Sequence, residues 1–435
     1  MTLPERVEHV SDQYVAPMAV PIDRVIESWN GLPVVELHEY EAVRAAFFNK
    51  DLSRAFDKRP FEAGNPGDGT VSTVHGDLHR ARRRIENTQF RTERLTEYER
   101  DLYPPILSDL LDRLLVGPSA DMAPIAPYLS IVLAARRAGL DVDHHDLAPL
   151  TQLIALVDAF SQGLGPGILE MPDPDQARRR VLQAVAEFEA DFVKPAVDRR
   201  QRLLARIAHG EDEALPTDVL TVLLQHRDEP ELALDDGRIT REVATYLQGG
   251  THSSAQTLLN VLYFMLPIFE RDEGVRDRVV KDQVFAARCV HETVRLRVIT
   301  PNAKRLAEQD TEVAGVPVPK GSMVILDVAA ANRSRAHYGP DADTFDPDRA
   351  LEETVPRWGL SFGLGAHGCP GRSSAVGLPI APDFSPREDH LFGLVTLMVQ
   401  QVVSRGVARD PERSPVPDTR SYKTNFWREF PVVLP

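Results

Sequence analysis

The sequence predicts a mainly helical chain with a minor β portion, an α+β protein forming a single domain over residues 1–435. Three observations carry this. Apolar residues recur at three- and four-residue spacing over long stretches, the signature of helices with one buried face. β-like runs are short and few. The 34 prolines fall mainly between these segments, as punctuation, and no repeat or long low-complexity linker divides the chain.

In chain order, residues 33–37 (Pro-Val-Val-Glu-Leu) read as a strand. Helical spacing follows over 39–48, 79–90, 95–115, 175–209, 240–265 and 283–298. Residues 311–318 read as a hairpin, and 430–434 (Phe-Pro-Val-Val-Leu) as a last strand.

Composition narrows the class. The chain is 43% hydrophobic and 26% charged, ordinary for a globular protein. A net charge of −15 argues against nucleic acid or an anionic membrane surface as the main partner. The start, Met1 to Arg6, is charged and lacks an apolar signal core. The longest strongly apolar stretch, 258–269, is broken by Asn260 and Pro267 and is too short to span a bilayer. A soluble, cytoplasmic protein is expected.

There are two cysteines, Cys289 and Cys369, too few for a disulfide framework, a structural zinc site or an iron–sulfur cluster held by four thiolates. Cys289 falls on the apolar side of a helix and reads as a small buried hydrophobe. Cys369 differs. It follows Phe362-Gly363-Leu364-Gly365-Ala366-His367-Gly368 and precedes Pro370-Gly371. This places a thiol between a glycine-rich approach and an expected helix start, with Pro370 at the first helical position. A cysteine at a helix N-terminus is favoured as thiolate, so it serves as a nucleophile or a metal ligand. The glycines leave room for something flat and large to approach the backbone. Residues 363–368 also match G-x-G-x-x-G, but no strand precedes them and no βαβ unit surrounds them, which excludes a dinucleotide reading. Upstream, Glu292 and Arg295 are three apart on one helix face and can pair.

Phe362, Gly365, Cys369 and Gly371 match the haem-thiolate signature F-x-x-G-x-x-x-C-x-G. Glu292-x-x-Arg295 precedes it, and Phe345-Asp346-Pro347-Asp348-Arg349 lies between the two. In this ordered set the chain resembles the cytochromes P450, most nearly the soluble bacterial type, strongly over roughly its last two hundred residues. The resemblance implies the fold of that family, a triangular helical prism around a buried haem b. It makes Cys369 the axial ligand of the haem iron, with Phe362 packed beside the sulfur, and Glu292, Arg295 and Arg349 a buried structural network. His79, Arg83, Arg305 and His367 would meet the haem propionates. Arg80, Arg82 and Arg84 are expected at the surface, as a solvated basic face or a docking patch for an acidic redox protein.

The chain departs from the family in two places. The helix over the haem usually carries an Ala/Gly-Gly-x-acid-Thr pattern, whose acid and Thr manage protons. Here it reads Gly249-Gly250-Thr251-His252-Ser253, with His252 for the acid and Ser253 for the Thr. Both can move protons near neutral pH, which leaves two readings: ordinary oxygenation with substituted relays, or altered chemistry such as peroxide use or aromatic coupling. After Cys369, residues 378–386 contain three prolines, which no helix continues through. Helical pattern resumes near 390, so an insertion is expected there.

By resemblance the substrate pocket would be lined by residues 56–74, 153–169, Tyr246, Val298, Ile299 and Phe426. The run Gly163 to Gly167 would form a lid element. The implied function is a haem-thiolate monooxygenase acting on a small-to-medium organic molecule in secondary metabolism or catabolism. It would use dioxygen, with electrons from a ferredoxin and its reductase or from a flavodoxin. A non-catalytic haem sensor is the rival outside enzymes.

Overall fold

The computed structural model describes residues 25–29, 32–54, 66–163, 173–211, 213–381, 384, 389–419 and 425–435. Helices dominate: α1 (Tyr40–Phe48), α2 (Gly76–Glu86), α3 (Thr92–Glu97), α4 (Tyr103–Leu114), α5 (Met122–Ala138), α6 (Leu147–Gly163), α7 (Pro174–Phe188), α8 (Lys194–Ala208), α9 (Val219–Gln225), α10 (Asp236–Arg271), α11 (Glu273–Lys281), α12 (Gln283–Leu296), α13 (Val328–Ala331), α14 (Arg335–Tyr338), α15 (Arg372–Val376) and α16 (Leu394–Val403). The strands are short: β1 (Val25–Trp29), β2 (Leu32–Leu37), β3 (Leu52–Ser53), β4 (Ser119–Asp121), β5 (Asn302–Ala307), β6 (Thr311–Val313), β7 (Val316–Val318), β8 (Met323–Asp327), β9 (Ala408–Arg409), β10 (Val416–Pro417), β11 (Trp427–Glu429) and β12 (Pro431–Val433).

The chain divides into two compact units. The first takes in described residues of 1–56, 95–126 and 254–435, the second those of 57–94 and 127–253.

In the first unit a five-stranded sheet runs in the order β1-β2-β8-β5-β3. Only β2 and β8 pair parallel, with Val34 opposite Met323 and Leu37 opposite Leu326. Leu37, Val324 and Leu326 are fully buried, as apolar residues of a covered sheet should be, and they join Val43 and Ala46 of α1 in one core. The expected hairpin is present as β6 and β7, joined by Ala314 and Gly315. Both take positive φ (49° and 83°), the geometry that matches a tight turn to the strand twist. The C-terminal strand pairs β4 and β9.

Proline placement corrects the helix boundaries. The expected helix over 95–115 is three pieces, with a π turn at Tyr98–Leu102 just before Pro104 and Pro105. The helix over 175–209 carries a π turn at Glu189–Val193 just before Pro195. In both places proline removes the N–H that the ladder would use, and the turn widens to accommodate it. Pro267 behaves otherwise. It lies inside α10, which continues to Arg271, so the apolar stretch is one unbroken helix rather than a broken segment. Among the described residues no helix is long and apolar enough to cross a membrane.

The second unit is built on α5, α6 and α10. Leu133, Leu153, Phe160 and Val243 are at most 1% exposed, and Phe160 meets Phe188 edge-on at 5.3 Å. Each such aromatic burial contributes about 1.5–3 kcal/mol.

Arg82 overturns the surface reading of the arginine run. Arg80 and Arg84 are exposed, but Arg82 is fully buried. It is three residues from buried His79, so the two share the inward face of α2. Its guanidinium donates to Leu232 O (2.8 Å), Ala233 O (3.1 Å), Gly69 O and the Glu242 carboxylate (2.9 Å). Glu242 also accepts the Val71 N–H at 2.7 Å.

A second buried carboxyl, Glu86, lies on the same helix and accepts the Tyr246 hydroxyl at 2.5 Å. Burial, and then the neighbouring Glu242, hold the Glu86 carboxyl well above its ordinary value of 4.5. Burial raises Glu242 to about 7, against the pull of Arg82. With Arg82 on Glu242, Glu86 is the member that keeps the proton. A carboxyl whose folded-state pKa lies above its unfolded value stabilises the fold at low pH, and that contribution is lost as the pH rises through the folded value. Thermal stability should therefore fall as the pH rises from 4.5 through about 7. Glu86→Gln, which stays neutral, should flatten that slope in a series of melting curves.

Candidate active site

The cysteine loop is assembled by short hydrogen bonds and enforced glycines. Cys369 N donates to Phe362 O at 2.8 Å, Gly363 N to Leu360 O at 2.8 Å and Gly368 N to Gly365 O at 3.1 Å. Gly363 and Gly365 hold φ at +61° and +66°. At Gly365 a Cβ would come within 2.7 Å of Phe47 O, so the loop lies against the end of α1 and only glycine fits. The Cys369 thiol is exposed, whereas Cys289 is buried in α12 and burial pushes its thiol well above the usual range. The two cysteines thus have opposite environments, one exposed and one buried.

The helix start differs from expectation. α15 begins at Arg372, with Gly371 at its N-cap, so Pro370 lies in the turn before the helix rather than in its first position. The helix is five residues long and ends where Gly377 turns to φ +80°. Among the described residues the next helix starts at Leu394, after Gly393, with Glu99 accepting the Phe392 and Gly393 N–H groups at 2.7 and 2.9 Å. The ends of the intervening segment are pinned together by Leu378 N donating to Leu391 O at 2.9 Å. At Gly393 a Cβ would lie 2.4 Å from Gly377 N, a contact that only paired glycines permit.

Behind the loop stands a buried ion network. Arg295 grips Glu292 with two bonds of 2.7 and 2.8 Å and spends its remaining reach on Asn332 O (2.8 Å) and Ala342 O (2.7 Å). Arg349 reaches Glu292 at 3.3 Å and Asp341 at 2.9 Å. The network connects to the cysteine loop through Asn332, which sequence reasoning missed. Its Oδ1 accepts Leu360 N at 2.7 Å, and its Nδ2 donates to Arg295 O (3.1 Å) and to Ser361 Oγ (2.8 Å). Gly359 is obligatory here, since a Cβ would fall 2.1 Å from Asn332 Oδ1. His291, beside Glu292, donates from Nε2 to Val376 O at 2.7 Å and meets Trp358 edge-on at 5.0 Å. Burial pulls its pKa down to about 4, so the ring is neutral and fixes the end of α15 without adding charge.

The departure segment lies on α10. Gly249 has open space beside it, while a Cβ at Gly250 would stand 2.9 Å from Ala134 Cβ, so α5 and α10 approach closely there. Thr251 Oγ1 donates to Leu247 O and Ser253 Oγ to Gly249 O, both at 2.6 Å. Ser130 Oγ donates to Thr251 O at 2.8 Å. His252 Nε2 faces Asp158 Oδ1 of α6 at 3.4 Å.

His79 is buried on α2 and Arg83 is half-buried one turn on. Arg305 is buried on β5, opposite Val324, its guanidinium 5.4 Å from the Phe47 ring centroid. His367 ends the turn Gly365–His367. Phe362 meets Trp358 edge-on at 6.2 Å. Tyr246 stacks on Phe90 at 5.8 Å, with its hydroxyl committed to Glu86. Val298 is buried in the core beneath the large sheet, and its carbonyl accepts Asn425 Nδ2 at 2.7 Å, next to buried Phe426. Ile299 is half-buried. Asn260, taken from sequence as an interruption, is an anchor: its Oδ1 accepts Trp427 Nε1 (2.9 Å) and Arg297 Nε (2.8 Å). The expected lid at 164–167 and part of each outer pocket segment lie outside the described residues.

The sequence profile of the family Cytochrome P450 matches residues 168–376. The chain is 29% identical over 342 residues to erythromycin C-12 hydroxylase of Saccharopolyspora erythraea, covering 77% of this chain and 74% of that protein. It is 27% identical over 365 residues to cyclooctat-9-en-7-ol 5-monooxygenase of Streptomyces melanosporofaciens, covering 76% and 74%. In fold it matches substrate-free CYP109E1 from Bacillus megaterium with a TM-score of 0.70 at 18% identity, over 92% and 93% of the two chains. A mutant of P450 EryK in complex with erythromycin B gives a TM-score of 0.65 at 22% identity, over 92% and 90%. The chain is a cytochrome P450 of the bacterial type.

As a cytochrome P450 it is a monooxygenase, and its family carries a haem iron. The residues of this P450 fit such a group. The exposed thiol is of a type that ligates iron. It stands at the end of a loop whose glycines keep side chains away, and Gly371 would place even a Cβ only in ordinary contact with Sγ, at 3.8 Å.

Proposed function

We propose that this P450 oxygenates a small-to-medium organic molecule of secondary metabolism in the cytoplasm. Its electrons come from a separate ferredoxin or flavodoxin-type protein. The supporting observation is the exposed Cys369 at the end of a glycine loop held by Asn332 and the Glu292–Arg295–Arg349 network. In this reading Cys369 is the axial ligand of a haem b. His79, Arg83, Arg305 and His367 hold its propionates, and Phe362 packs beside the sulfur. When bound, the haem with its thiolate supplies dioxygen activation, the electron donation of sulfur favouring O–O cleavage. The protein's own part is to hold the thiolate rigid, to leave room beside Gly249 for a small molecule, and to carry protons along α10. Relatives named erythromycin C-12 hydroxylase and cyclooctat-9-en-7-ol 5-monooxygenase support an oxygenated apolar carbon framework as substrate class.

Titrating the ferric holoenzyme with a panel of such molecules tests this. A true ligand should shift the ferric spectrum and then be consumed with dioxygen and a reducing system, one oxygen atom appearing in product. A protein that responds only to gas ligands and turns nothing over would be a sensor instead.

A second reading has its own observation. Thr251 and Ser253 both donate their hydroxyl hydrogens to carbonyls of their own helix. If no hydroxyl is available for the ordinary proton route, the same site should turn over with hydrogen peroxide in place of dioxygen and electrons. Faster product formation with peroxide than with the full electron-transfer system decides for that reading.

A further inference from the structure

His252 occupies the position where the family's pattern has an acid, and the structure brings a carboxylate to it from another helix. Asp158 of α6 places Oδ1 3.4 Å from His252 Nε2. A second polar rung one turn away joins the same two helices, where Gln248 Nε2 donates to Ser161 Oγ at 3.1 Å. The two members of the ion pair differ in access: the His252 side chain is 10% exposed and the Asp158 side chain 37%. Asp158 also lines a groove of about 330 Å³ between α6 and α7, together with Gln152, Gln162, Arg180, Gln183 and Glu187. One side of this carboxylate therefore meets a polar groove and the other meets a buried imidazole.

We propose that Asp158 is a positioning residue that orients His252 and passes protons to it from the α6–α7 groove. The missing acid of α10 is thus supplied from α6. The proposal rests on the reading of Gly249 to Ser253 as the oxygen-activating segment. One proton enters from groove water onto the Asp158 carboxylate and passes to His252 Nε2, while Nδ1 releases one. A half-turn of the ring then brings the bare Nδ1 round to face Asp158, so the next proton enters there, and the pair carries the same charge before and after. The charged groups facing the outer side of the pair are Arg180 and Glu187 of α7, and His252 is the titratable side chain of the segment on α10 itself.

The test uses the holoenzyme with histidine labelled for NMR, in its diamagnetic ferrous carbonyl form, and compares Asp158→Asn with Asp158→Glu. Losing the adjacent carboxylate should lower the titration midpoint of the His252 ring by about one unit, about tenfold in proton affinity, and Asp158→Glu should restore it. In turnover, Asp158→Asn should lower product per electron several-fold and release the difference as hydrogen peroxide. On a His252→Asn background the same change should do nothing further. An unmoved midpoint, or a moved midpoint with unchanged yield, overturns the role. The thiolate spectrum of the reduced carbonyl complex should be intact in every variant. Its loss in the parent protein would count against the haem-thiolate reading instead, so the two failures are distinguishable.

Discussion

Cys369→Ala should abolish the thiolate signature of the reduced carbonyl complex and all oxygenation, while Cys289→Ala keeps both. The expectation follows from the contrast between the two sulfurs. Cys289 is fully buried in α12, and burial raises its thiol far above the ionisation range of physiological pH. Cys369 is exposed, and the loop that presents it is closed by its own backbone bond to Phe362. Only a thiolate is both a ligand and a strong electron donor, so the loss should be total rather than graded. Circular dichroism on the same sample checks that the fold survives. A carbonyl complex of Cys369→Ala that retained the thiolate spectrum would remove Cys369 as the iron ligand.

Arg295→Ala should cost more stability than any substitution at the cysteine. Arg295 is fully buried, and its guanidinium is shared between the Glu292 carboxylate and two carbonyl oxygens. Removing it leaves the buried Glu292 carboxylate with only Arg349 at 3.3 Å and the Asp346 N–H at 3.2 Å among its described partners, and leaves the carbonyls of Asn332 and Ala342 without this donor. Breaking such a buried pair from one side costs about 3–5 kcal/mol, a large share of the roughly 5–15 kcal/mol that holds a domain together. Arg295→Lys should recover little, because one ammonium cannot reproduce the planar two-bond grip. Chemical denaturation reads both variants. The partner change Glu292→Gln breaks the same pair from the other side and leaves the buried Arg295 cation facing a neutral amide, so it should be destabilising as well. A stable, haem-loaded Arg295→Ala protein would show the network to be dispensable.

The cysteine loop was legible because everything that defines it is local. The glycines, the thiol and Phe362 lie within ten residues, and the bonds that close the loop join residues of the same stretch. Glu292 and Arg295 were legible for the same reason, three apart on one helix. Arg82 was not. Its run of arginines reads as a basic surface, and only the packing of α2 against the segments carrying Leu232, Ala233 and Glu242 turns one of them inward. The π turns were missed because proline shifts the hydrogen-bond ladder without disturbing the apolar spacing used to recognise a helix. Proline was equally misleading at Pro267, where α10 continues.

The sequence by itself therefore determined the family, the mainly helical fold, the glycine-rich loop before Cys369 and the unusual His252–Ser253 pair. Each is written in residue types at short, fixed spacing. The tertiary structure decided what surrounds them: Asn332 joining the ion network to the loop before Cys369, His291 holding the end of a five-residue helix, and Asp158 standing beside His252. These pairings join residues far apart in the chain, and no local spacing encodes them. They exist because long-range packing leaves each buried polar group only the partners that the fold brings within hydrogen-bonding or ion-pairing reach.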